Sequence, residues 1–469
     1  MITRWVCEKC RRKWAYPVEQ CAYCGFPVKK QVGKKVKVIG ITTVSIPSIN
    51  HPVVPYHVAL LEDECGSRMP KKTMRKLKMG DLFLCSGAKT DNAVAIMRLK
   101  YDVEEDVCRT LSLLRNIDVK ALDKVLIKVS CIEPIAQQGA STSPEVLGSM
   151  IKWLRKKGVE DIIAGEQALL GDSADAAAKA GIAGVCKANG VSFIDIAKEG
   201  FVEKEIEGVK VKVAKSAMER RLLNVPVMKT HAQYGVAGAL ENLMRLLDEE
   251  SQKTVHGKGI AKMLPMLAAL FPSVLSVGDA SVVMQNAPQG EPVFMRLMLA
   301  SASPSALDRV FSEMGMLPAP NYLKRINPRE IEIVGEELDC VKAPLKRAND
   351  GSPHPYVRFV GDADPKCFMD AVSVCRRLVG VGANGSTIQL AMGAFTKDTL
   401  DEKTRIVLYG KEAIENAQSL GISAVAELNG DMPELQRMVL LKSILEDPQK
   451  KRIGVADMFK VRMAEFAQR

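Results

Sequence analysis

Polar side chains that could bind an anion or transfer a proton follow three apolar segments of this sequence. They are two lysines, a histidine and an aspartate: Lys128, Lys229, His231 and Asp279. The carboxyl ends of parallel strands meet at one edge of an α/β sheet, and ligands bind at that edge. Two ammonium groups, an imidazole and a carboxylate there suit proton transfer on a bound carboxylate or phosphate, or metal binding. Each residue alone is typical of a solvent-facing or core position, but their repetition at strand ends predicts one catalytic pocket.

Further residues near these strand ends are predicted to contact the substrate. Thr142 directly precedes Ser143-Pro144, a pair typical of the start of a helix. The run from Gly235 to Gly238 is predicted to open another helix, which would offer backbone N–H groups to an anion. Asn242 lies in that predicted helix and is expected to donate a hydrogen bond to the ligand.

Two Cys-x-x-Cys pairs near the N-terminus predict a structural metal site. Their members are Cys7, Cys10, Cys21 and Cys24. Four thiolates at this spacing close a tetrahedral zinc site, with iron in a rubredoxin-like site as the alternative. The other eight of the twelve cysteines are scattered. No iron–sulfur cluster is expected, because the remaining cysteines lack cluster spacing.

Strands alternate with helices over most of the chain, which predicts an α/β fold with a mostly parallel sheet flanked by helices. The zinc ribbon is predicted at residues 1–30, a small β-barrel at 31–90, the central α/β domain at 91–345 and a C-terminal α/β region at 366–469. The strand before Lys229 is predicted at residues 225–228, so that Lys229, Thr230 and His231 would follow it in a loop.

The composition predicts a cytoplasmic protein without a membrane segment. The 469 residues are 47% hydrophobic, which suits packed cores. The N-terminus lacks the apolar core of a signal peptide. The longest apolar stretch, residues 263–278, is broken by two prolines and is too short to cross a bilayer.

Positive charge is concentrated at the N-terminus. Residues 1–90 carry 17 Lys and Arg against 6 Asp and Glu, which accounts for the whole net charge of +11. Such a basic head suits contact with nucleic acid, an acidic protein or an anionic cofactor. A solvated surface that only aids solubility is the alternative.

The N-terminal region resembles domain-of-unknown-function family 35, which combines a rubredoxin-like ribbon with an oligonucleotide/oligosaccharide-binding (OB) barrel. The resemblance rests on the two Cys-x-x-Cys pairs, the first strand at residues 35–41 and the sequence Lys-Met-Gly-Asp at 78–81. In that family the module accompanies acyl-CoA enzymes, so the resemblance implies a scaffold that docks a partner.

Residues of about 93–340 resemble domain-of-unknown-function family 362. The matching motifs occur in order: Leu126-Ile127-Lys128, Thr142-Ser143-Pro144-Glu145-Val146, Pro226-Val227-Met228-Lys229-Thr230-His231, Gly238-Ala239-Leu240-Glu241-Asn242-Leu243-Met244, Val277-Gly278-Asp279-Ala280 and Ala302-Ser303-Pro304 with Ala306-Leu307-Asp308. The resemblance implies that the polar residues are motif positions, adds Asp308 to the predicted substrate-binding residues and brings no reaction with it. Glu241 departs from the family, which usually has lysine there.

Two functional hypotheses follow from the sequence. The first is an enzyme acting on a small anionic molecule in the Lys/His/Asp pocket, which could hold a second divalent metal. The second is a nucleic-acid-binding or acyl-carrier and CoA-enzyme scaffold protein that works through the basic head. The sequence leaves the substrate and the oligomeric state open.

Overall fold

In the computed structural model the described residues are 2–83, 87–115, 117, 124–231, 235–271, 274–287, 290–346, 352, 354–361, 363–378, 381, 387–401, 403–429, 431–447, 449–450 and 452–468. Within these ranges the chain forms five β-sheets with helices packed around the larger ones. The large central sheet is mostly parallel, so the predicted α/β fold class is confirmed.

The N-terminal region contains two small antiparallel sheets. The first consists of β1 (Ile2–Cys7), β2 (Lys13–Trp14) and β3 (Val28–Gly33), in the order β2-β1-β3. The second consists of β4 (Val36–Val44), β5 (Tyr56–Asp63) and β6 (Arg68–Thr73), in sequence order. The first sheet and its cysteines fit a zinc ribbon. The described strands of the second form an open three-stranded sheet, so the OB-like barrel stays a prediction.

The central sheet has eleven strands among the described residues. They are β7 (Ala93–Arg98), β8 (Lys124–Lys128), β9 (Asp161–Glu166), β10 (Ser192–Asp195), β13 (Arg221–Asn224), β14 (Val227–His231), β15 (Gly235–Ala237), β16 (Val274–Ala287), β17 (Glu291–Val293), β18 (Leu297–Ser301) and β19 (Glu332–Gly335). The main path runs β10-β9-β8-β13-β16-β18-β7-β19, and β14 continues the sheet beside β16. A separate antiparallel hairpin consists of β11 (Phe201–Ile206) and β12 (Val209–Ala214).

Apolar cores cover both faces of this sheet. Leu126 packs into one core, whereas its strand neighbours Val125 and Ile127 pack into the other. The flanking helices are α1 (Val103–Ser112), α2 (Pro144–Lys156), α3 (Ser173–Lys179), α4 (Ile182–Ala188), α5 (Lys215–Glu219), α6 (Ala239–Met244), α7 (Glu249–Gly257), α8 (Ile260–Ala269), α9 (Pro304–Met314) and α10 (Leu338–Val341). A strand such as β8 is therefore apolar at three consecutive positions and polar only at its two ends, Lys124 and Lys128.

Three local predictions around Lys229 were wrong. The predicted strand at 225–228 falls on the break between β13 and β14, because Pro226 lacks an N–H and separates the two strands. Lys229 and His231 lie inside β14 rather than in a loop. Gly235–Ala237 is a short strand paired with β14, and α6 begins only at Ala239. Pairing with β14 satisfies the backbone of residues that local sequence assigned to a helix start.

The C-terminal unit is a smaller parallel α/β layer. Its strands are β20 (Val357–Val360), β21 (Ile388–Met392), β22 (Arg405–Tyr409) and β23 (Ala426–Leu428), paired in that order. Its helices are α11 (Pro365–Arg377), α12 (Lys411–Leu420), α13 (Glu434–Glu446) and α14 (Val455–Gln468). Leu169 and Leu170, which follow β9, pack against the core of this unit. The C-terminal unit therefore covers part of the carboxyl edge of the central sheet.

Candidate functional site

Lys128 is fully buried at the carboxyl end of β8 and ion-paired. Its Nζ lies 2.5 Å from a carboxylate oxygen of Glu166 and 3.1 Å from the amide oxygen of Asn242. The second carboxylate oxygen of Glu166 accepts from the backbone N–H of Cys131. Asn242 also donates to the amide oxygen of Asn224 at 2.8 Å. The strand register sets Asn224 opposite Lys128 on neighbouring β13, so the four side chains form one buried polar network.

Lys229 also has a buried side chain, and it anchors a loop. Its Nζ donates to the carbonyl oxygen of Ala140 at 2.6 Å. Burial lowers the pKa of Lys229, and the negative charge of Glu241 opposes that effect. Glu241, where the family resemblance implies lysine, thus contributes a carboxylate close to Lys229.

Thr142 is a buried bridge within the same loop. Its hydroxyl donates to the carbonyl oxygen of Val225 at 2.7 Å and accepts from the N–H of Ser130 at 2.8 Å. Both hydroxyl partners are backbone groups, so Thr142 joins the loop to β13 and fixes the start of α2.

The side chain of Asp308, a residue of α9, lies at the N-terminus of α6. Its carboxylate accepts from the N–H groups of Ala239 and Leu240 at 2.6 and 2.9 Å. Gly238 permits this approach, because a side chain at that position would overlap the Asp308 carboxylate. Burial raises the pKa of Asp308 to about 7, although the two N–H groups act in the opposite direction. The helix-start donors expected to meet a substrate are thus bound by Asp308.

His231 is half-buried near the C-terminal unit. Its ring centre lies 5.8 Å from that of Phe368 in α11. Burial lowers the pKa of His231 to about 3, and the positive charges of Lys229 and Arg245 add to the effect. The imidazole is therefore neutral at physiological pH. Gly235 lies opposite His231 in the β14–β15 pairing and adopts φ of 73°.

Asp279 lies in a different environment. One carboxylate oxygen accepts from the N–H of Ser143 at 2.7 Å, and the other accepts from the N–H and hydroxyl of Ser281 at 2.9 and 2.6 Å. Burial raises the pKa of Asp279, although these hydrogen bonds oppose the shift. Asp279 thereby connects β16 to the N-terminus of α2.

The sheet register separates Asp279 from His231. Asp279 is paired with Val227 at the start of β14, whereas His231 is paired with Ala287 at its end. Four residues of a strand span about 13 Å. Lys229 contacts the loop at 139–142 through Ala140, and Asp279 lines a cleft beside that loop.

This cleft has a volume of about 580 Å³. It is lined by three cationic residues, two carboxylates and several hydroxyls: Lys100, Lys179, Arg296, Glu145, Asp279, Ser141, Thr142, Ser143 and Ser281. Arg296 adopts φ of 51°, a backbone conformation that costs energy for a side chain of its size. Its guanidinium donates to the carbonyl oxygens of Leu99 and Lys100.

The four N-terminal cysteines come together as predicted. Their sulfur atoms lie within 4.8 Å of one another, with Cys7 and Cys24, and Cys10 and Cys21, each 3.5 Å apart. Four sulfurs around zinc at about 2.3 Å lie about 3.8 Å from each other, so the arrangement fits a metal. Elsewhere in the described ranges, no three Cys, His, Asp or Glu ligands are grouped this closely. A second metal in the central pocket therefore lacks a ligand set among those residues.

The sequence did not reveal the ion-pair partner of Lys128 or the cationic residues that line the cleft. Glu166 ends β9 just as Lys128 ends β8, and this shared placement after an apolar run was a usable signal. Lys100, Lys179 and Arg296 gave no such signal, because each lies near the end of a different element and only folding brings them to one cleft.

The fold and site define an α/β protein with a polar sheet edge and an N-terminal cysteine cluster. Residues 125–313 match the model of a family described as a domain of unknown function (DUF362). This match confirms the family resemblance over that range, which contains all the predicted central-site residues.

Comparisons with whole proteins add little. No curated protein matches the chain. A solved structure, the Ltp2-ChsH2(DUF35) aldolase, aligns at 21% identity over 19% of this chain and 75% of that chain, with a TM-score of 0.15. A likeness at this score carries no argument about function. Among the described residues, no helix is long and apolar enough to cross a membrane.

Proposed function

We propose that the protein is an enzyme that binds a small anionic substrate in the cleft at the N-terminus of α2 and uses Asp279 for proton transfer. The observation that carries this proposal is the meeting of an uncapped helix N-terminus, three cationic residues and a buried carboxylate in one cleft of about 580 Å³. Pockets of this size hold small molecules.

The start of α2 supplies anion-binding groups. The side chain of Ser143 makes no capping hydrogen bond to this 13-residue helix. The first N–H groups of a helix have no acceptor within it, and the helix dipole favours negative charge there. The N–H group of Glu145 is therefore suited to a carboxylate or phosphate, with Lys179 and Arg296 lining the same cleft.

Asp279 supplies the proton-transfer group. Its pKa is raised by burial, which brings a carboxylic acid closer to the pH at which acid–base catalysis is efficient. Thr142 and Ser143 hold the wall of the cleft, while Lys229 fixes the other side of the loop through Ala140. In this proposal Lys229 positions the cleft through Ala140, and Lys128, Lys229 and His231 do not touch the substrate.

Hydrogen exchange in deuterated water tests this proposal. A panel of small carboxylates and phosphate monoesters is screened for binding by thermal shift, and bound members are followed by NMR for deuterium incorporation. Asp279→Asn should lower the exchange rate about 10²- to 10⁴-fold while the ligand still binds. If Asp279 acts as a base, the rate should increase with pH through its raised pKa, because only the ionised form accepts a proton.

Asp398→Asn, an exposed aspartate on the C-terminal unit, is the matched control and should leave the rate unchanged. Failure of the whole panel to bind, or normal exchange by Asp279→Asn, would contradict the proposal.

For the cysteine cluster we propose structural zinc. Cys7, Cys10, Cys21 and Cys24 would be the four ligands, and no position would remain for a substrate. When bound, zinc would supply cross-linking of the ribbon rather than chemistry. The N–H of Cys10 already points at the sulfur of Cys7, at 3.5 Å, as in metal knuckles.

A second candidate function is binding of single-stranded nucleic acid by the ribbon. It is supported by two exposed aromatic rings that lie beside cations: Tyr23 with Arg12 at 4.0 Å and Phe26 with Lys9 at 4.9 Å. Bases stack on such rings while cations contact phosphates. Filter binding to labelled single strands should then weaken steeply with salt, and Tyr23→Ala should weaken it further. Salt-independent or absent binding at low ionic strength excludes this function.

A further inference from the structure

A small cavity lies at the seam between the central sheet and the C-terminal unit, away from the cleft. It has a volume of about 80 Å³, several times what one ordered water requires. Residues after β9, residues of α7 and the start of α11 line it together with Arg245. A ligand in this cavity would contact both units at once.

Arg245 is the unusual group in the cavity. Its side chain is only 4% exposed, and one terminal nitrogen donates to the amide oxygen of Gln252 at 2.7 Å. Its Nε has no hydrogen-bond partner, and no carboxylate of the described chain pairs with its charge. A buried cation that has no directly bonded counter-charge is costly, so an anion bound at this cavity wall would stabilise the guanidinium.

The carboxylates that line the cavity already have other partners. Glu249 lies 3.4 Å from the ammonium of Lys253 and 3.5 Å from that of Lys366. Asp364 caps α11 by accepting from the N–H groups of Lys366 and Cys367. Neither carboxylate is therefore committed to Arg245, and an added anion would complete its pairing.

Gln167 adds a second requirement on the ligand. It lines the cavity, and its buried amide oxygen has no donor among the described residues. A ligand that satisfies both walls must accept from Arg245 and donate to Gln167. Hydrogen phosphate does both at neutral pH, because it has anionic oxygens and one P–OH group. Sulfate and acetate have no proton to donate there.

We propose that the seam cavity binds hydrogen phosphate through Arg245 and Gln167, and that this binding holds the C-terminal unit against the central sheet. Arg245 provides a planar fork of donors that suits phosphate oxygens. The cavity shares no lining residue with the cleft at α2, so phosphate binding there does not depend on the proposed catalytic function.

Occupancy should also be sensed by His231. The positive charge of Arg245 contributes to the lowered pKa of His231. A phosphate paired with Arg245 would offset that charge, so the pKa of His231 should increase when the anion binds. This readout reports on the cavity itself and not only on the stability of the chain.

The test uses the full chain with inorganic phosphate, sulfate or acetate at matched ionic strength. Thermal unfolding should show saturable stabilisation by phosphate, and NMR titration should show the higher pKa of His231. Arg245→Met should weaken phosphate binding at least about tenfold, because the paired charge is lost. In anion-free buffer the same variant should unfold at the same or a higher temperature, since it removes a buried charge that has no directly bonded counter-charge.

Two further variants test the anion selectivity of the cavity and control for non-specific effects of phosphate. Gln167→Leu should remove the preference for phosphate over sulfate while leaving Arg245 in place, which also covers the case in which Arg245→Met fails to fold. Arg155→Met, which removes an exposed arginine of α2, is the control and should respond to phosphate normally. Equal stabilisation by all three anions, no saturable effect of phosphate, or a normal response by Arg245→Met overturns the proposal.

Discussion

Buried lysines in this protein are held by specific partners, and Lys128 is the clearest case. It is 0% exposed and pairs with Glu166, which is also 0% exposed. Two charges removed from water are tolerated only when they face each other and their remaining hydrogen bonds are satisfied. The N–H groups of Cys131 and Gln167 and the amide of Asn242 complete that set.

Lys128→Met should therefore lower the free energy of unfolding by about 3–5 kcal/mol, because it leaves the Glu166 carboxylate buried without a counter-charge. Urea denaturation of wild type and variant measures the difference. Replacing both partners, in Lys128→Met with Glu166→Leu, should recover much of the loss.

The matched control is Lys411→Met, which removes an exposed lysine 3.8 Å from Glu415. That pair should contribute at most about 0.5 kcal/mol. A loss of the same small size for Lys128→Met would show that the buried network does not behave as an ion pair.

Asp308 predicts a pH dependence of stability. Its pKa is about 7 in the folded protein, against about 3.9 in an unfolded chain. The folded state therefore binds more protons between these values, and its stability should fall as pH rises from about 4 to about 7 and then level off. The ionisation of Asp308 should account for a loss on the order of 4 kcal/mol.

Denaturant midpoints of wild type and Asp308→Asn between pH 4 and 8 isolate this contribution, because Asn cannot ionise. Wild type should lose stability relative to the variant as pH increases. Parallel curves for the two proteins would contradict the assignment.

At the scale of elements, the ends of strands and helices carry the polar chemistry. β8 and β9 are buried on both faces, so only their carboxyl ends accommodate Lys128 and Glu166. Helix α6 has its first N–H groups bound by Asp308, whereas α2 has no side-chain cap and opens into the cleft. The start of α2, and not that of α6, is therefore proposed to bind the anion.

The zinc ribbon should depend on its metal. Elemental analysis should find about one zinc per chain, and Cys10→Ser should remove it, because three thiolates hold zinc less tightly than four. Amide hydrogen exchange should then increase across β1, β2 and β3.

Exchange in the central sheet should stay unchanged, because its two cores do not include ribbon residues. Cys375→Ser, at a buried cysteine of α11, should leave the zinc content unaltered. Retention of zinc by Cys10→Ser would show that the cluster is not the metal site.

At the scale of the whole molecule, the basic head is docked on the body by its own charges. Glu337 accepts from the hydroxyl of Thr73, the N–H of Met74 and the guanidinium of Arg75. Lys71 pairs with Glu336, and Lys30 pairs with Glu105 of α1. Part of the charge that suggested an external anionic partner is therefore neutralised within the chain.

Glu337→Gln should loosen this docking by about 1 kcal/mol, because the amide nitrogen would face the N–H of Met74 and leave that part-buried donor unsatisfied. Hydrogen exchange of residues 68–76 measures the effect and should increase. Glu427→Gln, at an exposed position of β23, is the control. Unchanged exchange in the head would mean that Glu337 does not hold it.

Much of the architecture was determined by local sequence. The two Cys-x-x-Cys pairs predicted the cluster because tetrahedral ligation fixes ligand type and spacing. Consecutive apolar residues in β8 and β9 predicted buried parallel strands because such strands have no solvent-facing side. The family motifs marked Lys128 at the end of β8, whereas Lys229 and Asp279, which local sequence placed after strands, lie inside β14 and β16.

Tertiary structure alone decided which of those polar groups meet. Pro226 divides the strand before Lys229, and the resulting register separates Asp279 from His231. The partner of Lys128 is 38 residues away in sequence, and the cations of the cleft come from several elements. Spacing along the chain specifies where a side chain leaves its strand, whereas burial, counter-charge and hydrogen-bond partners depend on which strands and loops become neighbours.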